Sequence, residues 1–224
     1  MSVEREPLSH EAIEVYLGAV DWLIGVLNRD EVTAAWAEPS CVPFYSVGGV
    51  AAHAVHSVMW LEQLLRDTEP VGLRKVTLGE FFGPNRVDVP QDDDVVSAAL
   101  RSAAEAFALV GMSMVVTGCR DSRDAVEGLL GAMPADRAVP VIRVAGGQAP
   151  LRDYLKSRVL EVVVHGDDVA SSVPGLRVPD PPDACLTVCL DVCVELARSR
   201  VGGLGALRAF TRGERSQPDT LRVL

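Results

Sequence analysis

Arg158-Val159-Leu160-Glu161-Val162-Val163-Val164-His165-Gly166-Asp167-Asp168-Val169 is the stretch whose reading decides the fold. Taken as a helix, it sets Glu161 and His165 four residues apart, so both side chains leave the same face one turn from each other. The same spacing adds Tyr154, Arg158 and Asp168 to that face. Around the rest of the circumference stand Leu151, Leu155, Val159, Leu160, Val162, Val163, Val164 and Val169. A helix apolar nearly all round is a buried helix. Its one polar stripe, carrying a carboxylate and an imidazole, is therefore expected inside the protein, where charge is costly unless paired or bound to a metal.

Working outward, Pro150 starts this helix and Pro174-Gly175 stops it. Upstream, Ser9 caps a first helix in which Ile13, Leu17, Val20, Ile24 and Leu27 recur at helical spacing, ending near Asn28. A connector with a short helical turn follows, and Ser46 caps a second helix reaching Arg66-Asp67. Residues 68 to 91 hold Pro70, Gly72, Gly79, Gly83, Pro84 and Pro90; irregular segments of that length are functional or conceal short elements. Asp92, Asp93 and Asp94 suit the start of a third helix, whose face of Val95, Ala99, Ala103, Ala106, Phe107, Val110 and Met114 runs to about Gly118. A short helix is expected around Asp124 to Leu130, then an extended strand at Val139-Pro140-Val141-Ile142-Arg143-Val144 and a turn at Gly146-Gly147. After Pro179-Asp180-Pro181-Pro182 a helix spans Asp183 to about Arg200, and a short one follows Gly202-Gly203. Leu221-Arg222-Val223-Leu224 reads as a last strand pairing with 139–144. The expectation is a mainly all-α fold: a four-helix bundle with long crossovers, extra C-terminal helices and a small β-ribbon. Residues 1–172 are assigned to the bundle, and 173–224 to a helical extension packed on it rather than to a separate domain.

Composition narrows the function. A chain of 224 residues is long enough for one sizeable core. Its formal net charge of −10 opposes a phosphate-backbone partner, so no nucleic acid is expected. No uninterrupted apolar run reaches the length of a membrane span, and the charged start Met1-Ser2-Val3-Glu4-Arg5-Glu6 lacks a signal-peptide core. The expected location is cytoplasmic. Five cysteines, with no Cys-x-x-Cys pair among them, indicate neither a disulfide framework nor a thiolate zinc knuckle. Cys185, Cys189 and Cys193 recur every fourth residue, as small apolar residues in a helix contact do.

The four histidines carry the chemistry. Glu161 and His165 fit two readings, a hydrogen-bonded pair in the core or two ligands of a metal ion. The second needs a third ligand from another helix, and His53 is the candidate, in mid-helix among small residues. His56 lies near it but short of a full turn, and His10 sits in the first turn of the first helix, where exposure is expected. Two imidazoles and a carboxylate suit zinc with a fourth position open; nickel, iron or manganese fit the same ligand types. Asp168 is placed to orient His165, and Asp167 to end the helix in solvent. Arg158 is placed to pair with Glu161 or to meet an anionic substrate. The Gly-rich stretches lack the context of a phosphate cradle, and no Ser–His–Asp or Cys–His arrangement can be assembled.

Two segments resemble a known family. Pro39-Ser40-Cys41 through Phe44-Tyr45-Ser46-Val47-Gly48-Gly49-Val50-Ala51-Ala52-His53 looks like the second-helix signature of the mycothiol-dependent maleylpyruvate isomerase family, within the DinB/YfiT-like metal-binding bundles. Asp153-Tyr154-Leu155-Lys156-Ser157-Arg158-Val159-Leu160-Glu161-Val162-Val163-Val164-His165-Gly166-Asp167-Asp168-Val169-Ala170 resembles its later metal-bearing helix. The resemblance implies zinc on His53, Glu161 and His165, with mycothiol as thiol cosubstrate. It further implies a zinc-dependent S-transferase or isomerase acting on a small electrophilic metabolite, with metal-activated thiolate as nucleophile. The family's isomerase carries a sizeable second domain; here about fifty residues follow the fourth helix, so maleylpyruvate itself is not the expected substrate. Two alternatives stay open, a metal-dependent hydrolase using zinc-bound water and a non-catalytic metal- or ligand-binding module. The expected partners are a small electrophile and a low-molecular-weight thiol. A homodimer packed through bundle helices is compatible with such a fold, and no single residue marks that interface.

Overall fold

The structure is a computed structural model that describes residues 5–82, 95–212 and 214. Its frame is four long helices: α1 (His10–Leu27), α3 (Val47–Arg66), α6 (Met112–Leu130) and α7 (Leu151–Ser172). They pack as a ring, α1 on α7, α7 on α3, α3 on α6 and α6 on α1. Tyr16, Leu23, Leu61, Leu130, Leu155 and Leu160 are fully buried between them. The caps are those expected from the sequence. Ser9 Oγ accepts the Ala12 N–H at 3.2 Å, and Ser46 Oγ accepts the Gly49 N–H at 2.9 Å. The connector after α1 holds the short α2 (Asp30–Ala34).

The third long helix differs from the expectation. Instead of one helix from 92 to about 118 and a short one near 124–130, the chain forms α5 (Val95–Ala108) and α6, bent by 110°. Gly111 makes the break, with φ +92°, a backbone region open to glycine and strained for other residues. The apolar face differs as well: Val95, Val110 and Met114 are exposed, whereas Ala104 and Ala108 are buried. Alanine is indifferent to either face, so its spacing carries little information. Ala104 and Ala108 instead meet Ala52 of α3, where small side chains let the helices approach closely. From α5, Glu105 reaches the start of α3 and accepts from Ser46 N–H at 2.7 Å and Ser46 Oγ–H at 2.9 Å. Asp92, Asp93 and Asp94 lie outside the described residues, as does the strand expected at 221–224.

The expected small β-ribbon is present. Strands β1 (Arg74–Lys75), β2 (Ala138–Val141) and β3 (Gly147–Pro150) form a sheet in the order β1-β3-β2. β2 and β3 pair antiparallel, Ala138 opposite Pro150, across a turn where Gly146 has φ +67°. β1 pairs parallel with β3. The segment expected to be irregular thus hides β1 and α4 (Leu78–Phe82), which buries Leu78, Phe81 and Phe82. α8 (Asp183–Thr211) packs on α7, α4 and α1 and is kinked at Gly202, φ +73°, where the sequence separates two helices. Cys185 and Cys189 are buried along it, in keeping with a packing role. Among the described residues no single helix is long and apolar enough to cross a membrane.

Candidate metal centre

α3 and α7 lie against each other, and their facing sides bring His53, Glu161 and His165 together. One donor atom from each lies within 4.8 Å of the others. Nε2 of His165 is 3.4 Å from Glu161 Oε2, and Nε2 of His53 is 3.9 Å from the same oxygen. The two imidazoles meet edge to face, with centroids 4.8 Å apart and planes at 85°. Metal–donor distances near 2.0–2.1 Å around a tetrahedron separate neighbouring donors by about 3.3 Å. The three donors converge on that spacing, and small side-chain adjustments would close it. Two imidazole nitrogens and one carboxylate oxygen fit a divalent cation such as zinc.

The surrounding groups fix orientation. His165 Nδ1 lies 3.0 Å from Asp168 Oδ2, a contact that turns Nε2 toward Glu161 Oε2, 3.4 Å away. Asp168 is held in turn from the loop before α3, where the Cys41 thiol donates to its carbonyl at 3.4 Å. Arg158 Nη2 stands 3.7 Å from Glu161 Oε1, with its guanidinium over the rings of Tyr154 and Phe81. Burial pushes His53 down to about 4, with His165 adding to the effect, so this imidazole is neutral and free to donate its lone pair. Burial works against ionised Glu161, but the hydrogen bond to His165 and the Arg158 charge outweigh it and hold the carboxyl well below the usual range. Burial likewise opposes a charged His165; its hydrogen bonds to Asp168 and Glu161 prevail and raise it to about 9. A cation entering here therefore displaces a proton from His165.

The side chains are not sealed in the core. His53 and Glu161 are each 21 % exposed and His165 23 %, and a cavity of about 730 Å³ has His53 and Glu161 in its wall. Ser57, Trp60, Phe81, Phe82, Ile142 and Arg143 are among its walls, and sequence reasoning singled out none of them for the site. Phe81 and Phe82 had one available signal, an aromatic pair inside a Gly- and Pro-rich stretch. His56 also lines the cavity but lies outside the triad, stacked on Phe107 at 4.7 Å and 9°. His10 is exposed and pairs with Glu14 at 3.2 Å, away from the site.

Residues 27–170 match the family model described as the mycothiol maleylpyruvate isomerase N-terminal domain, a span that includes α3, α6, nearly all of α7 and all three donors. No curated protein and no solved structure matches the chain.

Proposed function

Because this chain belongs to the mycothiol maleylpyruvate isomerase N-terminal domain family, we propose that it is a metal-dependent enzyme using a low-molecular-weight thiol, mycothiol, in S-transfer to or isomerisation of a small electrophile. His53, Glu161 and His165 would hold the ion, and zinc is the metal that best suits them. When bound, such an ion supplies one thing above all: a thiol meeting it loses its proton and is a nucleophile at neutral pH. The chain's own residues do the rest. Asp168 keeps His165 in the tautomer that presents Nε2. Arg158 lies beside Glu161 and, stacked on Tyr154 and Phe81, forms a fixed wall against which a substrate is positioned.

The observation that carries this reading is the open cavity whose wall includes two of the three donors, His53 and Glu161. A purely structural site would close over its metal with a fourth protein ligand. Here the free side of the triad faces a space large enough for a metabolite-sized ligand. The test is thiol consumption by zinc-loaded protein with mycothiol and a panel of alkylating and unsaturated electrophiles. Saturable turnover that needs both metal and thiol supports the reading. Turnover of activated esters at the same rate without any thiol replaces it with a hydrolase using metal-bound water.

A further inference from the structure

Phe44, in the loop before α3, is the one non-glycine residue among the described residues whose backbone enters the left-handed region, at φ +68°. A bulky side chain there is strained, and such strain persists only where the surroundings impose it. Phe44 gains little burial in return, being 63 % exposed. Its neighbour gains more. The turn leaves Phe44 under the Arg101 guanidinium of α5, 5.2 Å from the ring centroid, and brings Tyr45 onto His53 of α3. Tyr45 meets the imidazole edge to face, with centroids 6.0 Å apart and planes at 60°. Backbone hydrogen bonds fix the loop around that contact. Ser40 N–H donates to the Tyr45 carbonyl at 2.9 Å, and Tyr45 N–H to the Val42 carbonyl at 3.2 Å.

The two imidazoles of the triad are supported unequally. His165 has Asp168 at Nδ1, the kind of partner that orients a metal-binding histidine. His53 has no hydrogen-bond partner among the described residues; its ring lies against Glu161 Oε2 at 3.9 Å and the rings of His165 and Tyr45. The same loop also reaches the support of His165. Cys41 N–H donates to Ser172 Oγ at 2.9 Å, and the Cys41 thiol to the Asp168 carbonyl at 3.4 Å. None of residues 39–46 lines the cavity, so the loop bears on the donors without filling the space beside them. We propose that Tyr45 is a positioning residue of the metal centre: its ring holds the His53 imidazole in place, as Asp168 holds His165, and the strained turn at Phe44 delivers it there. The inference rests on the metal-site reading above. A saturated side chain of similar volume would fill the same space but present no ring to the imidazole. His53 would then turn more freely about its broad second side-chain torsion, and the donor set would be less well prepared for the ion.

The test is metal binding by the full chain and needs no substrate. Zinc affinity by chelator competition and the visible absorption of the cobalt(II) form are compared for wild type, Tyr45→Phe, Tyr45→Leu and Phe44→Gly. Tyr45→Phe keeps the ring and is expected to match wild type. Tyr45→Leu is expected to weaken zinc by about tenfold or more and to shift the cobalt bands. Phe44→Gly adopts the left-handed conformation without strain but frees the loop, and is expected to weaken zinc in the same direction. Leu130→Ala, at the C-terminal end of α6 on a helix with none of the donors, is the control for lost stability. It is expected to lower the Tm of metal-free protein and to leave the cobalt spectrum as in wild type. Wild-type zinc affinity and cobalt bands in both Tyr45→Leu and Phe44→Gly overturn the inference. So does a Tyr45→Phe loss equal to that of Tyr45→Leu, or a cobalt shift in Leu130→Ala as large as theirs. Wild type that takes up no metal removes the metal-site reading and this inference with it. Wild type that binds zinc, beside loop variants that bind it equally well, defeats the inference alone.

Discussion

Gly166 tests whether the metal-bearing helix is packed as described. It follows His165 on α7 and faces α1, where a Cβ at this position would lie 3.0 and 3.2 Å from Trp22 Cη2 and Cε3, and closer still to Cζ3. Trp22 is not free to swing aside, because its indole Nε1–H donates to the Pro179 carbonyl at 2.8 Å. Gly166→Ala therefore overpacks the contact, at a cost of about 1–3 kcal/mol. Against that stands a helix-propensity gain of roughly 1 kcal/mol for alanine over glycine. The net loss is up to about 2 kcal/mol, and at roughly 2–4 °C per kcal/mol for a chain of this size the Tm falls by as much as about 8 °C. Gly128→Ala on α6 is the control, since nothing lies within 4 Å of a Cβ there. It keeps the propensity gain alone and is expected to raise Tm by a few degrees. Thermal melts of chelator-stripped protein separate these effects from metal binding. A Gly166→Ala variant stabilised as much as Gly128→Ala would refute the close approach of α1 and α7.

Two further outcomes follow from particular contacts. Asp168→Asn removes the carboxylate that orients His165 through Nδ1, and metal affinity measured by chelator competition is expected to fall about ten- to a hundredfold with the fold intact. Glu69 accepts from Arg5 Nη1 at 2.7 Å and from the Ala138 N–H at 2.7 Å, and the Arg5 guanidinium, followed by the Ala138 N–H, holds its carboxyl below the ordinary 4.5 despite partial burial. A depressed folded-state pKa adds stability that is present above 4.5 and is lost as the pH falls through the folded value. Urea titrations should therefore show Glu69→Gln less stable than wild type at neutral pH, with the gap closing below 4.5. A gap that is constant across that range contradicts the assignment.

Much of the bundle was legible because its signals are local. Ser9 and Ser46 announce helix starts, Pro150 another, and the 3.6-residue repeat of large apolar side chains marks α1, α3 and α7. The break between α5 and α6 was not, because Leu109-Val110-Gly111 carries no proline and an alanine-rich helix has no distinctive face. Its geometry is decided by tertiary contacts: Ala104 and Ala108 against Ala52, and Glu105 reaching Ser46. The donors stood out in the sequence since Glu161 and His165 are polar exceptions on an apolar helix. The cavity wall did not. Ser57, Trp60 and Ile142 gain meaning only when α3, α4 and the β2–β3 turn come together, and nothing in their local sequence sets them apart.

The most direct test of the metal centre is metal content by elemental analysis on tag-free protein, for wild type and for Glu161→Ala and His165→Ala. About one zinc per chain is predicted in wild type and none in either variant, with circular dichroism showing the helices retained. Wild-type protein that stays metal-free after zinc is supplied, or variants that keep the metal, would contradict the account; in the first case His53, Glu161 and His165 would be a partly buried polar cluster of the bundle and nothing more.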